Sequence, residues 1–410
     1  MPQWGQSPWV SGKAQTKGKT QTKAGAAPLS GDKTVDAVVI GAGLTGCAAA
    51  FAMAEAGLKV VVLDEGEIAG GSTQAAMGLV LPMPAILYGP TVKDAGARAT
   101  KAAFSAWPAG AKGLAAAIRR ASKSAGVQAI DLVVNAPFTN DAAVLKKDLD
   151  VRPSAQAAWM TQAAAREALA TETQGAARFK GAYQIDPVEA AHVLAAAARK
   201  KGARFYERTR VMKTTFTRKD ATVVTKNAKL TTTRIVVATG RPGAVFKQLE
   251  RHVRVTQGYV VMTEPLTPAM RTHVGTRKAL YTEGTESPRW LRWMPGQRAM
   301  FGGIAAPEPA PALRKQAIVQ RANQLMYELS LRYPEISGLP PAAGWDVPIV
   351  STADGLPWIG AHRNYPFHFF AMATGWHGEA AAWVAAEAAV RYFQDSPRRD
   401  DAQLGFARAL

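Results

Sequence analysis

At 410 residues the chain exceeds what one hydrophobic core usually serves, so two domains are expected. Hydrophobic residues make up 48%, as in ordinary globular proteins, while 50 Lys and Arg against 31 Asp and Glu leave a formal net charge of +19 that favours anions. The single cysteine, Cys47, excludes an intramolecular disulfide and a cysteine-based metal centre, and the 6 histidines offer no pair at helical ligand spacing, so no metal is expected.

Residues 1–33 carry Lys13, Lys17, Lys19, Lys23 and Lys33 with Asp32 as the only acid, and cannot bury enough apolar surface to fold alone. A poorly ordered basic extension is expected, with Trp4 and Trp9 available to pin it to the body. No apolar run reaches the roughly 18 residues of a membrane helix, and a cytoplasmic protein without a membrane span is expected.

From residue 34 onward strands and helices alternate, which predicts an α/β protein. Ala37–Ile40 is an apolar strand running into Gly41-Ala42-Gly43-Leu44-Thr45-Gly46 and an Ala-rich helix that ends at Gly57. Gly41 permits the tight turn, Gly43 lets the backbone approach a pyrophosphate, and Gly46 lets helix and strand pack closely. A second strand, Lys59–Leu63, ends in Asp64 with Glu65 beside it, placing a carboxylate where it binds ribose hydroxyls. This predicts a dinucleotide site. The fingerprint alone fits NAD or FAD. Cys47, in the first turn of the helix, reads as a packing residue.

Further along, Ala-rich helices are predicted over 97–125 with Pro108 interrupting, 154–172, 186–201 and 311–332. Strands are predicted at 205–211, 221–226, 235–238, 259–263, 290–294 and 300–303. In Trp290-Leu291-Arg292-Trp293-Met294 the period of two puts Trp290, Arg292 and Met294 on one face. An arginine among large apolar residues is suited either to holding a substrate carboxylate or to a salt bridge with a neighbouring strand.

From Ala37 to about Val390 the chain resembles the D-amino-acid-oxidase-like flavoprotein superfamily, most closely its glycine oxidase, sarcosine oxidase and gamma-glutamylputrescine oxidase branch. The resemblance is carried by motifs in the right order: the glycine turn; Ile68-Ala69-Gly70-Gly71-Ser72-Thr73-Gln74-Ala75-Ala76-Met77-Gly78; Tyr206 to Val211; Ile235 to Ala238 with Thr239-Gly240; Gln257 to Leu266; Trp290 to Gly303; and Ser351 to Gly360 followed by Gly375-Trp376-His377-Gly378-Glu379. It implies a Rossmann-like FAD-binding domain, residues 34–83, 181–250 and 345–395, interleaved with a mainly antiparallel substrate domain, residues 84–180 and 251–344, and a tail over 396–410. It further implies that Gly71, Ser72, Thr73, Gln74, Met77 and Gly78 run beside the pyrophosphate and flavin, that Val211 contacts the adenine, and that the helix after Gly378 and Glu379 aims its N-terminus at the flavin pyrimidine. Where the family's histidyl-linked members carry His, this chain has Ala75, so noncovalent FAD is expected. Asp346-Val347 follows Trp345 where the family commonly has glycine, and residues 84–180 match no familiar pattern.

The activity implied is hydride transfer from the carbon of an amine or amino acid to flavin N5, giving an imine that hydrolyses, with oxygen or another acceptor taking the electrons. Arg292, Tyr259 and His377 are the candidate catalytic residues, with Tyr281 as a further polar contact. The alternatives are a tRNA-modifying enzyme acting on an aminomethyl base, which gives the charge of +19 a purpose, and a flavin-free binding protein. No aromatic-interleaved basic motif supports nucleic acid as a partner.

Overall fold

The computed structural model describes residues 2–10, 28–153, 157–285 and 287–409. Three sheets organise them. The first has the order 358–362, 365–372, 235–240, 37–40, 60–63, 204–206, parallel except for the antiparallel pairing of its first two strands. Ala37–Ile40 and Val60–Leu63 are buried at every residue, as expected of central strands covered on both faces. Val39 and Val62 face the helices Leu44–Glu55, Pro187–Lys200 and Glu379–Phe393, while Val38 and Val61 face a four-stranded sheet containing Val223 and Leu230.

The largest sheet has ten strands among the described residues and is mainly antiparallel. Its centre is Pro341–Ser351, Arg254–Thr263, Arg298–Ala306 and Trp290–Met294, in that order. Alternation gives it two faces. Val260, Trp290, Met294, Trp345 and Val347 pack toward Met77 and Leu79. Tyr259, Tyr281, Leu291, Trp293 and Phe301 pack toward the helix Arg314–Arg332 through Ile318 and Leu325. The chain passes repeatedly between the first sheet and this one, so the interleaved α/β architecture expected from the motif order is present.

Four expectations are corrected. The helix Ala97–Ala121 runs unbroken through Pro108, because it buries Trp107, Gly110, Ala111 and Leu114 against the rest of the core. Within 154–172, Ala157–Met160 is a strand paired with 176–184 and the helix begins only at Gln162, where Thr161 caps it; residues 154–156 lie outside the described residues. The run 205–211 is split into Arg204–Tyr206 and Val211–Phe216, with Arg208 at φ +48° between them. The N-terminal residues also depart from the expected disorder: Gln3–Trp4 adds a parallel strand beside Ala343–Gly344, and Trp9 is buried. Residues 11–27, with Lys13, Lys17, Lys19 and Lys23, lie outside the described residues.

Candidate active site

The glycine turn has the close packing its sequence demands. A Cβ on Gly46 would stand 1.8 Å from the Gly41 carbonyl oxygen, so only glycine lets the helix start there. No side chain caps that helix at Gly43 and no acid stands in its first turn, which leaves its positive end suited to phosphate. Thr73 Oγ1 accepts from Leu44 N–H at 2.9 Å, tying the following loop to the turn. Cys47 is buried, its thiol donating to the Ala42 carbonyl at 3.3 Å and pushed up in pKa by burial. It is a packing residue.

A cavity of about 880 Å³ opens beside this turn. Gly41, Gly43, Leu44 and Thr45 border it, as do Asp64, Glu65, Gly71, Ser72 and Thr73. Val211, Thr239 and Gly240 complete the sequence-expected set on its wall. Asp64 accepts from Ala42 N–H at 2.6 Å and Gly66 N–H at 2.8 Å, and burial raises its carboxyl above the usual range. Sequence reasoning missed Arg208, Arg210, Lys226 and Arg241, which also border the cavity; their only signal was the general excess of cations. Carboxylates at a strand end, a bare helix N-terminus and four surrounding cations fit the ribose and pyrophosphate of a dinucleotide.

A narrower space of about 80 Å³ continues from it, sharing walls at Leu44, Thr45, Ser72, Thr73 and Gly240. Gly375, Trp376, Gly378 and Glu379 lie on it, together with Val347, Pro348 and Val350 from the large sheet. Trp376 lies directly against Gly258, where a Cβ would meet its indole at 2.4 Å.

Glu379 opens the last helix and is 4% exposed. Its Oε1 accepts from Leu79 N–H at 3.1 Å, whereas Oε2 is buried with no partner among the described residues. Burial pushes its carboxyl up to about 7, against the opposing pull of backbone N–H groups and of the Arg292 charge. His377 borders neither space. Its ring stands edge-on to Trp290 at 4.0 Å between centroids, both ring nitrogens are buried without partners among the described residues, and burial pushes its pKa down to about 3. Burial keeps the ring neutral, and it packs against Trp290 in the turn rather than lining either space.

The structure also relocates Arg292 and Tyr259. Arg292 Nη1 donates to the carbonyls of Met77 at 2.6 Å, Gly78 at 3.1 Å and Ile185 at 2.8 Å. Its guanidinium is 5.0 Å from the Trp9 ring and borders neither space, although burial lowers its pKa only to about 10 and it stays charged. It fastens the 74–78 loop to the start of the Pro187–Lys200 helix, rather than standing open to a substrate carboxylate. Tyr259 and Tyr281 lie on the opposite face of the sheet, toward the helix Arg314–Arg332, where the acceptor Asp346 receives Gln257 and Arg314. Gln74, Met77 and Gly78 form the loop but do not border either space, and Gly46 is packed behind the turn.

A sequence model of the DAO family, described as FAD dependent oxidoreductase, matches residues 36–392. No curated protein matches the chain. Among solved structures, L-amino acid deaminase from Proteus vulgaris is similar with a TM-score of 0.76 at 18% identity, over 95% of this chain and 100% of that one. Glycine oxidase from Geobacillus kaustophilus gives 0.72 at 19% identity, over 89% and 96%. L-alpha-glycerophosphate oxidase from Mycoplasma pneumoniae, a structure with FAD bound, gives 0.68 at 16% identity, over 88% and 95%. At these identities the likeness establishes the fold.

Proposed function

The chain belongs to the DAO family of FAD-dependent oxidoreductases, and from that premise we propose that it oxidises a carbon–nitrogen bond, with an amine or amino acid as donor. One observation carries this reading: among the described residues the narrow space is bordered by no cation, and by a single ionisable residue, Glu379. A space without a cation offers no partner to a phosphate ester or a carboxylate. The donor class favoured is accordingly an amine, ahead of an amino acid.

Bound FAD would supply a two-electron acceptor for hydride from the carbon that bears nitrogen, held by the glycine turn, Asp64 and the 71–73 loop. The protein's own part is to bind, orient and dry that carbon. The 72–76 loop and the 374–379 turn form the walls, and Trp376 against Gly258 closes one side to water. The imine produced hydrolyses in water to a carbonyl compound and ammonia or an amine.

The test is an anaerobic panel of primary and secondary amines, the matching amino acids, 2-hydroxy acids and glycerol phosphate, read by bleaching of the oxidised flavin band. Amines are expected to bleach it fastest. Bleaching by hydroxy acids or glycerol phosphate alone overturns the donor assignment and leaves the cofactor assignment standing.

A further inference from the structure

Residues 74–78 have successive carbonyls, and each is taken by a side-chain donor. Arg292 holds those of Met77 and Gly78. Trp345 Nε1 donates to Ala75 O at 2.9 Å. The two others are held from the far N-terminus: Ser7 Oγ donates to Gln74 O, and Trp9 Nε1 to Ala76 O at 2.8 Å. The same Trp9 ring stands 5.0 Å from the Arg292 guanidinium, so the donor from the N-terminus and the donor from the sheet brace each other.

The N-terminal stretch is itself anchored. Gln3–Trp4 pairs with Ala343–Gly344, and Gly5 N–H donates to Gly344 O at 2.8 Å. Gly344 leaves room for the Trp4 ring, which a Cβ there would meet at 2.7 Å. These contacts fix residues 3–9 on the edge strand whose other end, Val347 to Val350, borders the narrow space. A peptide plane whose carbonyl is held on one side presents its N–H on the other. Gripping successive carbonyls therefore sets the direction of the loop's N–H groups, such as that of Leu79 toward Glu379.

We propose that residues 3–10 are a strap belonging to the cofactor site, with Ser7 and Trp9 as positioning residues that hold the 74–78 loop in its FAD-binding shape. The strap lies outside the stretch, 36–392, that matches the family model. It gives the N-terminal extension a function that its basic composition does not suggest. The inference rests on FAD as the cofactor of the site described above.

The experiment is a titration of deflavinated full-length protein with FAD, followed by flavin fluorescence quenching, on the unsubstituted chain, Ser7→Ala, Trp9→Phe and the double variant, alongside the melting temperature of each apoprotein. Trp9→Phe keeps an aromatic ring near Arg292 and removes the N–H together with part of the indole's bulk, whose packing cost the apoprotein melting temperature reads separately. One lost hydrogen bond is expected to weaken FAD binding roughly fivefold to tenfold, and the double variant more, with apoprotein melting within about 1 °C of the unsubstituted chain. Saturating FAD should then restore the unsubstituted absorption spectrum. Unchanged FAD affinity in the double variant overturns the strap, as does a loss of affinity matched by a fall in apoprotein melting. Failure of the unsubstituted chain to bind FAD overturns the cofactor reading instead.

Discussion

At the scale of single residues, Glu379 and His377 are two buried titratable neighbours with opposite consequences. Glu379 rises from 4.5 to about 7, so the folded state keeps a proton that the unfolded chain releases. Its contribution to stability is full below pH 4.5 and is lost as pH rises through about 7, amounting to an order of 3 kcal/mol. His377 falls from 6.5 to about 3, so its contribution is present above pH 6.5 and is lost as pH falls toward 3. Urea denaturation of the apoprotein between pH 5 and 8 should therefore show Glu379→Gln losing less stability with rising pH than the unsubstituted chain. Parallel curves would contradict a buried, raised carboxyl. A second prediction concerns attachment: with Cys47 sealed in the helix and Ala75 offering no nucleophile, acid precipitation should leave intact FAD in the supernatant. Flavin retained in the pellet would contradict it. The glycine turn was legible in the sequence because its steric demands are local. The role of Arg292 was not, since its acceptors Met77 and Gly78 lie more than two hundred positions away. Tyr259 lies on the face turned to the helix Arg314–Arg332, and no sequence pattern says which face of its strand meets the cofactor.

Whole elements were legible where periodicity was long and illegible where tertiary contact decided. The buried strands Ala37–Ile40 and Val60–Leu63 read directly as apolar runs. Ala157–Met160 read as helix from its alanines, and pairing with the 176–184 strand overrode that propensity. The helix Ala97–Ala121 makes the strongest test at this scale. Pro108 in its interior forfeits one backbone hydrogen bond and crowds the preceding turn, and the helix persists because its neighbours on both sides are packed in the core. Pro108→Ala should restore that bond and stabilise the fold by about 1–3 kcal/mol, seen as a higher melting temperature. A lower melting temperature would mean that the proline shape is built into the packing of Trp107 and Gly110.

For the molecule as a whole, the motif order foretold an interleaved nucleotide core, because each motif must return to one parallel sheet to complete the site, and the family resemblance implied the mainly antiparallel sheet. The placement of the N-terminus was not foretold, since two tryptophans amid polar residues do not specify where they dock. The net charge of +19 has one local expression in Arg208, Arg210, Lys226 and Arg241 around the larger cavity. Those cations should steer the anionic cofactor, so the association rate of FAD with apoprotein should fall between about 0.05 and 0.5 M salt. A rate indifferent to salt would remove them from that role. The central claim, that the FAD held here accepts hydride from a carbon bearing nitrogen, is tested most directly by single-turnover anaerobic reduction with the best amine of the panel, protonated or deuterated at that carbon. The account predicts slower bleaching with deuterium and one carbonyl product per flavin reduced. Equal rates with no carbonyl product, or reduction by hydroxy compounds but by no amine, would contradict it.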